Sequence, residues 1–221
     1  TIRYYTRMLD KHGVDVRLGV RASAADLTGY DEVVLATGVA PRVPDIPGID
    51  HPMVLSYADA LGGEPVGESV AVVGAGGIGF DVSEFLTTAH SPTLDLQAWK
   101  AEWGATDPWQ ARGALATPLP APADREVYLL QRSSGPQGRR LGKTSGWVHR
   151  ASLRAKGVHQ LCDVDYERID DSGLHISVGS ERRVLAVDNV VICAGQDPVR
   201  DLEADLNGVG VRAHVIGGAA E

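Results

Sequence analysis

The residues whose types and spacing can carry chemistry begin with Gly74, Gly76 and Gly79, in the stretch Val70-Ala-Val-Val-Gly-Ala-Gly-Gly-Ile-Gly79. Gly74 suits a tight turn, Gly76 lets the backbone approach a pyrophosphate, and Gly79 lets a helix lie close on the preceding strand. Ala75, Gly77 and Ile78 complete the loop, where free N–H groups and the positive end of a helix dipole favour phosphate. With a strand before it and a helix after it, this pattern predicts dinucleotide binding. The next decisive position is Gln131-Arg132. An Asp or Glu there would accept from a ribose 2′-OH and repel a 2′-phosphate. Gln131 repels nothing, and Arg132 can pair with a 2′-phosphate bidentately. Arg139, Arg140 and Lys143 follow in a basic cluster. The arrangement favours NADP(H), with an ordinary solvated loop as the alternative.

Small residues recur where apolar runs end: Ala36-Thr37-Gly38, Ala194-Gly195 and Gly217-Gly218. At Ala36 to Gly38 the choice is between a tight strand exit and a flavin or nucleotide contact. Gly142-Lys143-Thr144 is not a phosphate-binding P-loop, because the glycine that motif needs five residues earlier is Gln137. The two cysteines, Cys162 and Cys193, form no Cys-x-x-Cys pair, and His149, His159 and His175 lack ligand spacing. No metal site is expected, the thiols read as buried and free in a reducing cytoplasm, and the histidines read as surface or structural. No catalytic Ser/His/Asp or Cys/His set can be argued from order alone.

These residues need elements to hold them. Val70 to Val73 reads as a buried parallel strand and Ile78 to Leu86 as an amphipathic helix. Before them, the stripe Ile2, Tyr5, Met8, Leu9 predicts a helix over 2–12 capped by Gly13, and short strands follow at Val14 to Leu18 and Asp31 to Gly38. Pro41, Pro44 and Pro47 mark an extended linker that runs to about Gly67. After the glycine-motif helix the next strand, Glu126 to Leu130, arrives late, so residues 90–124 form an insertion. That insertion carries Trp99, Trp103 and Trp109, which read as anchors of the segment to this domain or to a neighbouring one, with the lining of a binding surface as the alternative. Trp147 to Lys156 is a predicted helix, and strands at Asp163 to Ile169, Leu174 to Val178 and Arg182 to Ala186 form a three-stranded meander. A buried strand, Asn189 to Cys193, closes the pattern.

The chain has 221 residues, 43% of them hydrophobic, with a formal charge of −8 from 21 basic and 29 acidic side chains. That supports a real core and argues against a nucleic-acid or anionic-membrane surface. No apolar run approaches the roughly 20 residues of a membrane span. The expected fold class is α/β: a Rossmann-like FAD/NAD(P)-binding domain, with parallel sheet, helices and a β-meander crossover, plus part of a second such domain.

Several stretches together resemble the C-terminal part of the bacterial NADPH-dependent 2,4-dienoyl-CoA reductases. They are Leu35-Ala-Thr-Gly38, Gly48-Ile-Asp-His-Pro52, Leu55-Ser-Tyr57, Val73 to Asp81, Leu141-Gly-Lys-Thr-Ser-Gly-Trp-Val-His-Arg150, Ala186 to Gln196 and Val215-Ile-Gly-Gly218. That family is similar in build to trimethylamine dehydrogenase, with an old yellow enzyme-type flavin barrel, an iron–sulfur cluster, and paired FAD and NADPH domains. The resemblance implies hydride transfer from NADPH to FAD, then electron passage through a 4Fe-4S cluster to FMN, which reduces unsaturated acyl-CoA in β-oxidation. It divides the chain into a partial FAD-binding domain and linker (1–64), an NADPH-binding domain (65–194) and a return to the FAD domain (195–221). The barrel, the cluster cysteines and a first glycine motif for FAD have no counterpart here, so this chain alone is expected to be an inactive, cytoplasmic part of the reductase. The implied contacts to FAD are Ala36, Thr37, Gly38, Gly217 and Gly218, and those to NADPH are Gly74 to Gly79, Gln131, Arg132, Lys143, Ala194 and Gly195. Two alternatives stand beside it: a trimethylamine dehydrogenase-like electron-transfer domain without nicotinamide use, and a non-catalytic NADP(H)-binding module.

Overall fold

The structure is a computed structural model and describes residues 1–220. In chain order the elements are α1 (Ile2–Lys11), β1 (Val33–Leu35), β2 (Val39–Pro41), β3 (Val54–Ser56), α2 (Tyr57–Gly62), β4 (Ser69–Val73) and α3 (Gly77–Thr87). There follow α4 (Leu96–Trp103), β5 (Glu126–Leu130), α5 (Gly146–Ala155), β6 (His159–Leu161), β7 (Val164–Asp170), β8 (Gly173–Val178) and β9 (Glu181–Leu185). The chain ends with β10 (Asn189–Ile192), β11 (Gln196–Pro198), α6 (Asp201–Gly208) and β12 (Ala213–Val215). It forms two compact units, Ala40–Asp197 and Thr1–Val39 with Pro198–Glu221.

The larger unit is built on a five-stranded sheet in the order β3-β10-β4-β5-β6. Every pair in it is parallel, with Val73 opposite both Ile192 and Leu130. The apolar run of β4 serves both faces of this sheet, because successive side chains point to opposite sides. Val70 and Val72 pack with Phe80, Val82 and Leu86 of α3 and Leu153 of α5. Ala71 and Val73 pack on the other face with Val164, Ile169, Leu174, Ile176 and Leu185 of the antiparallel meander β7-β8-β9. Two helical layers are thus replaced by one layer of helices and one of strands. The chain reaches β10 after β9, on the far side of β4 from β5. Strand order therefore reverses beside β4, which opens a crevice at the carboxyl ends of β4, β5 and β10.

The smaller unit pairs β1 with β12 in parallel, Val33 opposite Ala213 and Leu35 opposite Val215. Its core is Val33, Leu35 and Leu206, flanked by Ala24, Leu27, Leu202, Val211, Ala213 and Val215.

Several expectations are corrected. Val14 to Leu18 forms no strand; Val14, Val16 and Leu18 are all exposed, and an alternating segment without a neighbour gains nothing from extension. The predicted strand at 31–38 shrinks to its three-residue core. The helix at 2–11 forms, but none of its residues is buried, so its apolar stripe has no partner among the described residues. Residues 40–64 group with the larger unit, whereas the family resemblance divides the chain at 64/65. Ile46 enters the core beneath the meander, with Ile49, Met53 and Val54 against it. Within the insertion, Trp99 and Trp103 line a groove with Phe85 of α3, while Trp109 is 82% exposed. Cys162 is half-buried rather than buried.

Candidate functional site

Gly74 leaves β4 at φ +113°, and its N–H donates to Leu130 O at 3.0 Å. A Cβ there would strike Cys193 O, so the turn admits only glycine beside the end of β10. At Gly79, inside α3, a Cβ would collide with the carbonyl oxygen of Gly74 and come within 3.4 Å of Leu129 Cδ1. That glycine sets the distance from helix to strand. Gly76, the N-cap of α3, is different: a Cβ there meets nothing within 4 Å. Its space opens onto a cleft, at the helix end where unpaired N–H groups attract an anion.

The cleft has two joined lobes. One, about 440 Å³, is lined by Val73 to Ile78, Gln131 to Ser133, Tyr166 and Cys193 to Gln196. The other, about 640 Å³, shares Ala75, Gly76, Gln131 and Ser133 and continues to Ser134, Gly138, Arg139 and Arg140. The linings contain Arg132, Arg139 and Arg140 and, among the described residues, no carboxylate. None of the three arginines is ion-paired among the described residues. In a protein of charge −8, three such arginines make the lining of this cleft electropositive, an environment that favours an anion.

The loop that carries two of them is fastened by amides. Gln131 Nε2 donates to Ser133 O at 2.8 Å and Gly135 O at 3.2 Å. Gln137, only 3% exposed, sends Nε2 across the ends of β5 and β6, to Leu129 O at 2.8 Å and Leu161 O at 2.9 Å. Its Oε1 has no partner among the described residues. Arg150 donates to Gly138 O at 3.2 Å. The arginines are therefore presented from a braced loop.

Burial pushes the Cys193 thiol up to about 12, which keeps it neutral, so it lines the cleft without being a nucleophile. Burial also raises the Tyr166 hydroxyl, against the opposing charge of Arg132.

Of the residues expected at the nicotinamide nucleotide, Gly74, Ala75, Gly76, Gly77, Ile78, Gln131, Arg132, Ala194 and Gly195 come together around the first lobe. Gly79 lies behind it as a packing residue. Lys143 lines neither lobe; the loop turns inward at Leu141, which packs on the helix-side core, and Lys143 stands exposed beyond it. Ser133, Ser134, Tyr166 and Gln196 were not legible as cleft residues, because their arrival depends on the crossover and on loop curvature. In the smaller unit, Ala36-Thr37-Gly38 follows β1 and Gly217-Gly218 follows β12, so the parallel pairing sets them side by side. Ile216 N donates to Leu35 O at 3.0 Å, and a Cβ at Gly218 would lie 3.6 Å from Gly38 C.

One unexpected cluster mimics a hydrolase triad. Ser172 Oγ and Asp170 Oδ1 both lie 2.9 Å from His175 Nε2. A relay needs the hydroxyl and the carboxylate on opposite ring nitrogens, so this set braces the β7–β8 turn. Among the described residues there is no group of His, Cys, Asp and Glu able to hold a metal, and no helix long and apolar enough to cross a membrane.

A parallel α/β sheet with a glycine turn at its switch point defines the chain as a Rossmann-like FAD/NAD(P)-binding protein. It belongs to the pyridine nucleotide-disulphide oxidoreductase family, whose pattern matches residues 2–214. A metal reductase of Desulforamulus reducens is 24% identical over 217 residues, which are 94% of this chain and 31% of that protein. A cinnamate reductase of Clostridium sporogenes is 38% identical over 88 residues, 38% of this chain and 13% of that protein. In fold, the chain is similar to 2-naphthoyl-CoA reductase, with a TM-score of 0.75 at 23% identity over 99% of this chain and 29% of the other. The chain thus spans about a third of the length of the proteins it matches along nearly its whole extent.

Proposed function

We propose that this chain is the NADPH-binding part of a flavoprotein reductase acting on unsaturated acyl thioesters, as its resemblance to the 2,4-dienoyl-CoA reductases implies. The observation that carries the nucleotide reading is the open space at Gly76, at the N-terminus of α3, inside a cleft lined by three arginines that have no ion pair among the described residues. The residues fit a dinucleotide. Gly74 and Gly79 are fixed by packing, and Gly76 by nothing in the protein itself, which is what a backbone approach to pyrophosphate requires. The N–H groups at the start of α3 hold the pyrophosphate. Arg132, Arg139 and Arg140 hold the 2′-phosphate end, which Gln131 does not repel. Ala194 and Gly195 leave room at the opposite end.

When bound, NADPH supplies the hydride and FAD accepts it. The smaller unit offers Ala36, Thr37, Gly38, Gly217 and Gly218 toward the flavin. FMN, a 4Fe-4S cluster and the acyl-CoA site belong, in this reading, to a flavin-barrel domain of the longer protein, which works in the cytoplasm. The exposed Tyr4, Tyr5, Leu18, Val20 and Val34 of the smaller unit support a covering domain, since an open two-stranded parallel sheet is normally buried.

The test is calorimetric titration of the chain with NADPH and NADH. A charge-assisted contact to the 2′-phosphate is worth about 1.5–3 kcal/mol, so NADPH is expected to bind one to two decades more tightly. The combined variant Arg132→Ala, Arg139→Ala, Arg140→Ala should erase the difference. Equal affinities in the unmodified protein would sink the assignment.

A further inference from the structure

We infer that Gln196, held by Tyr57, reads the carboxamide of the nicotinamide ring at the β10 end of the cleft. The inference rests on the dinucleotide reading above and adds a specificity-determining contact to it.

The ends of the cleft are chemically distinct. The residues after β5 face the adenosine ribose in a Rossmann crevice. An extended dinucleotide lying across the glycine turn therefore places its nicotinamide on the other side of β4, where β10 ends. Cys193, Ala194, Gly195 and Gln196 line that side. Among these four, Gln196 alone has a side chain with both an amide donor and a carbonyl acceptor. A primary carboxamide on the ring carries the same two groups, and two amides pair reciprocally.

Gln196 is exposed, and an exposed glutamine would ordinarily wander. Here Nε2 donates to Tyr57 Oη at 2.8 Å. The backbone is fixed as well. Arg42 N donates to Gly195 O at 3.0 Å, Arg42 Nη2 to Gln196 O at 3.1 Å, and Arg42 Nε to Asp197 Oδ1 at 2.8 Å. Gly195 stands at φ +111°, which turns the chain toward the cleft. With Nε2 engaged by Tyr57, Oε1 is left to accept an N–H from the nicotinamide amide.

The experiment titrates the chain with NADP⁺, with its 3-acetylpyridine analogue (which keeps the ring carbonyl but has no amide N–H), and with 2′,5′-ADP (which has no nicotinamide half). The unmodified protein should prefer NADP⁺ to the analogue by about tenfold, the worth of one well-placed hydrogen bond. Gln196→Leu should bind both equally, with 2′,5′-ADP affinity unchanged. Tyr57→Phe should retain part of the preference. A preference that survives in Gln196→Leu, or none in the unmodified protein, overturns the proposal while intact 2′,5′-ADP binding leaves the nucleotide site standing. Failure of all three ligands to bind overturns both.

Discussion

Gly74, Gly76 and Gly79 share one motif but answer to different forces. Two are demanded by the protein: a Cβ at Gly74 or Gly79 would meet backbone. Gly76 faces open cleft, and in the proposed reading the pyrophosphate that lies there is what demands it. The difference can be measured. Gly79→Ala forces α3 off β4, and overpacking of this kind costs about 1–3 kcal/mol, or roughly 2–4 °C of Tm per kcal/mol for a domain of this size. A thermal melt should show that loss, and an unchanged Tm would mean the helix has slack the packing does not show. The glycine motif, Gln131 and Arg132 were all legible in the sequence, since each is a local pattern with a known mechanism. Lys143 lies outside the cleft lining, and charge and proximity in sequence do not say which way a loop faces.

Two braces act on whole elements. Asp170 ties the β7–β8 turn, accepting from Ser172 Oγ, Ser172 N and His175 Nε2, with Arg168 on its other oxygen. The Ser172 hydroxyl, then His175, hold its carboxyl well below the ordinary 3.8. A folded value below the unfolded one stabilises fully above the unfolded pKa and is lost as pH falls toward the folded one. Asp170→Asn should therefore lower Tm at pH 7, with the gap to the unmodified protein closing below about pH 4. A gap independent of pH would show that the carboxylate charge is irrelevant. Gln137 braces the arginine loop. Replacing it with Leu removes hydrogen bonds worth about 1 kcal/mol each, but also deletes an unpaired buried acceptor that costs about 1–3 kcal/mol. Stability should change little, while the loop loosens and the preference for NADPH over NADH narrows. Unaltered preference would remove Gln137 from the positioning of Arg139 and Arg140. Among the elements, β5, the meander and β10 were legible from apolar runs between turns. The short helices α2, α4 and α6 were not: α2 and α6 bury a single residue each and α4 buries none, too few for a periodic signal.

The molecule as a whole concentrates cation-lined space in one place despite its acidity, at the point where strand order reverses. That placement follows from topology, since β10 joins the sheet only after the meander has crossed its face. The topological class was readable from the strand–glycine–helix order. The extent of the larger unit was not, because Ile46 and Ile49 lie in a proline-rich stretch whose role as a core strap appears only when the meander folds over it. Everything functional then depends on one assertion, that a dinucleotide lies across Gly76. The direct test is NADPH titration of the unmodified chain and of Gly76→Val, each with a parallel thermal melt. We expect Gly76→Val to melt near the unmodified protein, because its added carbons enter open cleft, and to lose NADPH binding altogether. If Gly76→Val binds NADPH as the unmodified chain does, the nucleotide lies elsewhere.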